Sequence, residues 1–131
     1  VKKPSFILSN KTWNRIYTKP RSANKSLVCY DNQFYKLGNQ AIETYNRISK
    51  QCFTTRITGS AVCDAALIAT GKINARIWNK ANPYDIAAGM MIVKGAEGRV
   101  CDLQGNDINT LNEQVIMCSD EVLKDQLVKL I

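Results

Sequence analysis

Strand-like and helix-like stretches alternate along these 131 residues, an order that confines the chain to a layered α/β fold. Residues 6–8 form a short apolar strand candidate ending in Ser9-Asn10, a turn or helix-cap signal. Residues 41–51 place Ile42, Tyr45 and Ile48 at helical spacing and pair Glu43 with Arg47, which predicts an amphipathic helix. Residues 53–58 are rich in β-branched side chains and read as a strand feeding a Gly59-Ser60-Ala61 turn. From Ala61 to Thr70 the residues are small and apolar, as in a buried helix, with Gly71 as its stop. Ile73, Ala75 and Ile77 then alternate with Asn74, Arg76 and Trp78, the period of a half-buried strand. A helix over residues 84–96, a strand over 99–102, a turn over 104–107 and a strand over 115–118 follow. Ser119-Asp120-Glu121 caps a last amphipathic helix. Residues 11–40 read less regularly: Lys19-Pro20 and Gly38-Asn39 signal turns, and residues 26–30 read as a strand or as part of a helix.

Composition narrows the chemistry. The chain contains no histidine, which removes His-based triads, His–zinc sites and a His general base. Its five cysteines, Cys29, Cys52, Cys63, Cys101 and Cys118, are odd in number and form no Cys-x-x-Cys pair. They read as reduced core residues, so an intracellular, cytoplasmic setting is expected. No apolar run approaches membrane-spanning length, so no membrane is expected as a partner. The formal charge of +7 owes much to Lys2, Lys3, Lys11, Arg15, Lys19, Arg21 and Lys25, interleaved with Trp13, Tyr17 and Tyr30. Such a pattern can grip phosphates and stack bases, or it can be a solvated face. No recognition module accompanies it.

The most informative segment is Asn82-Pro83-Tyr84-Asp85-Ile86-Ala87-Ala88-Gly89. Proline fixes the entry to a helix, Asp85 sits where the helix dipole favours a carboxylate, and the small residues admit close packing. Asp85 suits a metal ligand, and it equally suits a helix cap. Ser60 has the same two readings, as a cap and as part of a ligand-binding helix start.

Both segments, with Ile57 to Ala75 upstream and Met90 to Asn106 downstream, resemble the C-terminal half of the inositol monophosphatase family of metal-dependent phosphatases. Gly59-Ser60-Ala61 is similar to the family's Gly-[Ser/Thr]-Ala substrate loop. Pro83-Tyr84-Asp85-Ile86-Ala87-Ala88-Gly89 is similar to its Trp-Asp-x-Ala-[Ala/Gly]-Gly signature, with Tyr84 a conservative aromatic change expected to preserve packing. The similarity runs from about Arg56 to Ser119 and continues more weakly to Ile131.

The resemblance implies a mixed sheet flanked by helices, one half of a layered α/β/α/β/α phosphatase, and no catalytic residue within this chain. It implies Asp85 as a ligand of a second Mg²⁺, with Mn²⁺ as the alternative, in a site shared with an N-terminal domain. Gly59, Ser60 and Ala61 would line the alcohol of a phosphorylated small molecule. Trp78 departs from the family, whose inositol-preferring members carry a Glu seven residues before the motif Asp. An indole cannot accept hydroxyl hydrogens, so Trp78 is expected either to stack on a ring of another phosphorylated substrate or to cover the domain face.

The family's Asp-Pro-x-Asp-Gly segment is absent from these residues, and the chain starts at Val1. Residues 1–131 therefore read as the C-terminal domain of a longer enzyme, inactive alone, partnered by its own N-terminal domain and, as family members often are, by a second copy. The alternative is a noncatalytic regulatory domain that binds RNA or a protein through the basic N-terminal face.

Overall fold

The computed structural model describes residues 3–109 and 111–131, so Lys2 of the basic first quarter lies outside the described residues. The chain opens with an antiparallel hairpin of β1 (Phe6–Ser9) and β2 (Thr12–Arg15), turned by Asn10 and Lys11 at φ 49° and 63°. Two successive left-handed residues match the right-handed twist of a tight hairpin. Both strands are exposed along their whole length. The hairpin is held at its base, where Ser5 N–H donates to Gly95 O, Ser5 Oγ to Ile92 O and Thr18 N–H to Ala96 O.

A 3₁₀ turn at Ala23–Lys25 leads into β3 (Leu27–Cys29), so the core of residues 26–30 is a strand rather than part of a helix. Next come α1 (Phe34–Gln51), β4 (Thr54–Arg56), α2 (Ala61–Ala69) and β5 (Ala75–Trp78). The chain ends with α3 (Pro83–Gly95), β6 (Arg99–Cys101), β7 (Val115–Cys118) and α4 (Glu121–Val128). The sheet order is β4-β3-β5-β7-β6. β3 runs parallel to β4 and β5, whereas β7 runs antiparallel to β5 and β6.

Each face of this sheet buries its own core. On one face Trp78, Val115, Met117 and Val100 pack with Ala65 and Ile68 of α2 and Ile86, Met90 and Val93 of α3. On the other, Val28, Ala75, Ile77 and Ile116 pack with Ile48 of α1 and Leu123 and Leu127 of α4. Each fully buried side chain of this size contributes about 1.5–3 kcal/mol. The helices α2 and α3 approach so closely that a Cβ at Gly89 would lie 2.6 Å from Ala65 Cβ.

Two expectations are corrected. β5 is buried along its whole length rather than half-buried, because it is a central strand covered by helices on both faces. Gly38-Asn39 marks a break in the helical run, in line with its turn signal. Gly38, at φ 69° and ψ −163°, lies between a short helical piece that starts at Phe34 and the longer piece that contains the expected helix over residues 41–51. Tyr84, expected to preserve packing, is 92% exposed among the described residues. Of the five cysteines, four are buried and Cys63 is exposed, all as free thiols. Among the described residues no helix is long and apolar enough to cross a membrane.

Candidate functional site

Because β3, β4 and β5 are parallel, their carboxyl ends open on one side of the sheet, where α/β proteins place ligands. Beyond β3 come Asp31, Asn32 and Gln33; beyond β4 comes the Gly59-Ser60-Ala61 turn; β5 ends at Trp78 and leads to Lys80, Asn82 and Asp85. These three loops enclose one cavity of about 320 Å³. All five residues singled out from sequence, Gly59, Ser60, Ala61, Trp78 and Asp85, line it.

Local signals place each of them. Gly59, at φ 75°, turns the chain into α2 through a conformation that side chains disfavour. Ser60 caps α2, its hydroxyl accepting from Cys63 N–H at 3.4 Å. Asn82 caps α3 by accepting from Tyr84 N–H at 3.1 Å. Asp85, in the first turn, is therefore not the cap, and its exposed carboxylate makes no ion pair among the described residues. Trp78 is only 4% exposed, with the Arg76 guanidinium carbon 5.0 Å from its ring centroid.

Two further polar residues of the cavity lining, Arg76 and Asp31, carried no motif, and Asp64 lies behind Arg76. Arg76 is 4% exposed and donates from Nη1 to Asp64 Oδ2 at 2.7 Å. Asp64 is fully buried, and Thr58 Oγ1 lies 2.8 and 2.7 Å from its two oxygens. Asp31 is 3% exposed; its Oδ1 accepts from Gln33 N–H at 3.2 Å. Among the described residues, Asp31 Oδ2 and Arg76 Nε are buried without a hydrogen-bond partner. Beneath them, burial pushes the Cys29 thiol up to about 12, and the nearby Asp64 carboxylate adds to the shift. Sequence reasoning missed Asp31; its one trace is an acidic residue directly after the apolar run 27–30, which by itself marks no site.

A hard cation takes oxygen ligands and commonly one or two protein carboxylates. Asp85, free of cap and ion pair, fits one such ligand. The described residues contain no cluster of three or more His, Cys, Asp or Glu that could hold a metal by itself. Two larger cavities, of about 590 and 640 Å³, lie elsewhere. They are lined by basic residues such as Lys94 and Arg99 or Lys19 and Lys72, and hold none of the candidate residues.

The family model described as the inositol monophosphatase family matches residues 10–131. The chain belongs to that family. Among its relatives, a Thermotoga maritima protein named fructose-1,6-bisphosphatase/inositol-1-monophosphatase is 36% identical over 85 residues, which is 65% of this chain and 33% of the relative. The Nus factor SuhB of Escherichia coli K12 is 30% identical over 86 residues, 66% of this chain and 32% of the relative. The fold matches that of the Thermotoga maritima IMPase with a TM-score of 0.75 and 29% identity, over 91% of this chain and 46% of that one. An inositol monophosphatase from Zymomonas mobilis matches with a TM-score of 0.78 and 22% identity, over 91% and 48% of the two chains. The chain thus spans about a third of the length of the curated relatives it matches, and about half of the solved structures.

Proposed function

We propose that residues 1–131 are the C-terminal domain of a metal-dependent phosphomonoesterase acting on an inositol phosphate or a related sugar or nucleotide phosphate. The observation that carries this reading is the convergence of Gly59, Ser60, Ala61, Trp78 and Asp85 on one cavity. Asp85 would hold Mg²⁺, or Mn²⁺, together with carboxylates from an N-terminal domain outside these residues. When bound, such a cation neutralises charge on the phosphoryl and leaving oxygens. The chain's own residues do the rest by positioning. The α2 N-terminus, opened by Gly59 and Ser60, offers N–H groups to ligand oxygens. The buried indole of Trp78 forms an apolar wall that holds a ring in place and excludes water. Free thiols fit a reducing cytoplasmic compartment.

The test is Mg²⁺-dependent phosphate release by the full-length protein and its Asp85→Asn variant, on inositol, sugar and nucleotide monophosphates. Loss of one metal-binding carboxylate is expected to lower turnover by about 10²–10³-fold. Unchanged release would remove Asp85 from the metal site. Residues 1–131 alone are expected to show no turnover, since the remaining carboxylates lie elsewhere.

A second reading is favoured by the hairpin, which exposes Trp13 and Tyr17 beside Lys11 and Arg15, and by the resemblance to proteins named Nus factor SuhB. In it the domain binds RNA or a protein without catalysis. Arg15 is partly committed, to Glu97 at 3.0 Å and to the Tyr17 ring at 4.8 Å. RNA binding that vanished at moderate salt would leave only nonspecific attraction.

A further inference from the structure

The basic first quarter of the chain has a strict alternation. Lys11, Trp13, Arg15, Tyr17, Lys19 and Arg21 occupy successive odd positions, cation and aromatic by turns until the final pair of cations. Wherever the backbone is extended, such residues share one face. β2 is extended through Arg15. Beyond it, Ile16 N–H donates to Ser5 O and Thr18 N–H to Ala96 O, so the chain is held against the domain at alternate residues. The even positions face inward: Ile16 packs against the core and Thr18 is buried. The odd ones face outward, with Trp13 66% and Tyr17 49% exposed.

This outward face runs onto a cavity of about 640 Å³ beside Asn74, at the end of β5 opposite to the one that carries Trp78. Tyr17, Lys19 and Arg21 line it, joined by Lys72 from the turn after α2. The two segments touch at Gly71, where a Cβ would lie 3.0 Å from Lys19 Cβ. Lys19, Arg21 and Lys72 make no ion pair among the described residues, and no described carboxylate lines the cavity. Three like charges around one hollow repel one another until an anion enters. Arg15 has a different role. It pairs with Glu97 at 3.0 Å, and its guanidinium carbon stands 4.8 Å over the Tyr17 ring, which steadies that ring.

We propose that this face is a track for a single strand of nucleic acid, whose phosphates meet Lys19, Arg21 and Lys72 while its bases stack on Tyr17 and Trp13. Alternate side chains of an extended chain step by about 6.7 Å. An extended polynucleotide repeats its phosphates and bases on a similar step, so both components recur in phase. A duplex keeps its base faces inside its own stack, and a carboxylate-rich peptide answers the cations alone, so neither uses the two exposed rings. The track deepens the second reading and rests on it only for binding by the basic face. It is separate from the cavity that holds Asp85 and is independent of catalysis there.

The experiment titrates a short fluorescent oligouridylate with the full-length protein, by anisotropy, over a series of salt concentrations. Oligothymidylate is expected to bind alike, because phosphates and base faces are common to both strands. The annealed duplex is expected to bind more weakly. Removing one stacking ring, in Tyr17→Ala or Trp13→Ala, should weaken binding about 5- to 150-fold. Lys19→Gln combined with Lys72→Gln should make the slope of log affinity against log salt shallower by about 1.4. The control is Lys50→Gln with Lys129→Gln, which removes the same charge from exposed sites on α1 and at the end of α4, across the sheet. It should leave affinity and slope unchanged.

Equal losses in the track pair and the control pair would overturn the proposal, since net charge alone would then explain binding. Unchanged affinity in both aromatic variants, or a duplex bound as tightly as the single strand, would overturn it too. If Tyr17→Ala lowers the melting temperature, Tyr17→Leu and the lysine pair decide the matter by the same titration, with unchanged affinity and slope overturning the proposal. Polyglutamate bound more tightly than the oligonucleotide would replace the strand by an acidic protein segment and leave the second reading standing. Absence of binding to either polyanion would sink both.

Discussion

Arg76 and Asp64 meet at 2.7 Å in the interior of the domain, one at 4% and the other at 0% exposure. The pair ties β5 to α2 beneath the cavity and fixes the guanidinium against Trp78. Removing one member leaves the other charge buried and uncompensated, which costs about 3–5 kcal/mol. Asp64→Ala or Arg76→Met is thus expected to lose that much in urea unfolding. The double variant Asp64→Leu with Arg76→Met should recover most of it, because an apolar pair often replaces a buried ion pair at little cost. Losses that simply add would show that the two residues are not coupled.

Gly89 sets how closely α3 approaches α2. A methyl group there would stand 2.6 Å from Ala65 Cβ, so the helices must separate or bend. Gly89→Ala should destabilise by about 1–3 kcal/mol despite the better helix propensity of alanine. A paired Ala65→Gly should restore much of the loss, measured by thermal or urea unfolding.

The thiols predict both reactivity and alkaline behaviour. Burial raises Cys29 to about 12 and Cys52 and Cys101 to about 11, and raises Cys118 further. Brief alkylation of residues 1–131 at neutral pH, read by peptide mass mapping, should therefore modify Cys63 alone, the exposed one. A thiol with a higher pKa folded than unfolded keeps its proton longer in the native state. Its stabilisation is full below the unreacted value of 9.0 and declines as pH rises toward 11–12. Stability should fall above pH 9, and Cys52→Ala or Cys101→Ala should flatten that slope.

Asp102 works at the other end of the pH scale. Its slight burial opposes ionisation, but hydrogen bonds from Asn106, Gln104 and Gly105 outweigh this and hold its pKa below the usual 3.8. A depressed pKa contributes stability that is present above about pH 4 and lost as pH falls through the folded value. Asp102→Ala should be less stable than the wild type at pH 7, and the difference should shrink at pH 2. A constant difference would place the effect in packing rather than charge.

The legible parts of this protein are those whose causes are local. Ser60, Gly59 and Gly71 bracket α2 within a few residues, and Pro83 opens α3 in the same way, so both elements could be anticipated, whereas the convergence of their starts was implied by the family resemblance alone. Misreadings arose where a distant partner decides the outcome. Asn74 and Arg76 looked like the wet side of β5, yet Asn74 pairs with Leu27 N–H and Lys19 O, and Arg76 with Asp64. The short helical piece before Gly38 also escaped notice, since nothing in its spacing marks it as helical. Asp31 had no motif because its importance comes from three strand ends meeting, a relationship that spacing along the chain does not encode.

One helix joins two surfaces that otherwise share nothing. The first turn of α3 carries Asp85 at the cavity rim, and its last turn offers the Ile92 and Gly95 carbonyls to Ser5 at the root of the hairpin. At 1.5 Å per residue, α3 is a rigid strut roughly 20 Å long. The exposed hairpin and the carboxylate at the cavity are thus mounted on opposite ends of one helix, with no strand of the sheet between them.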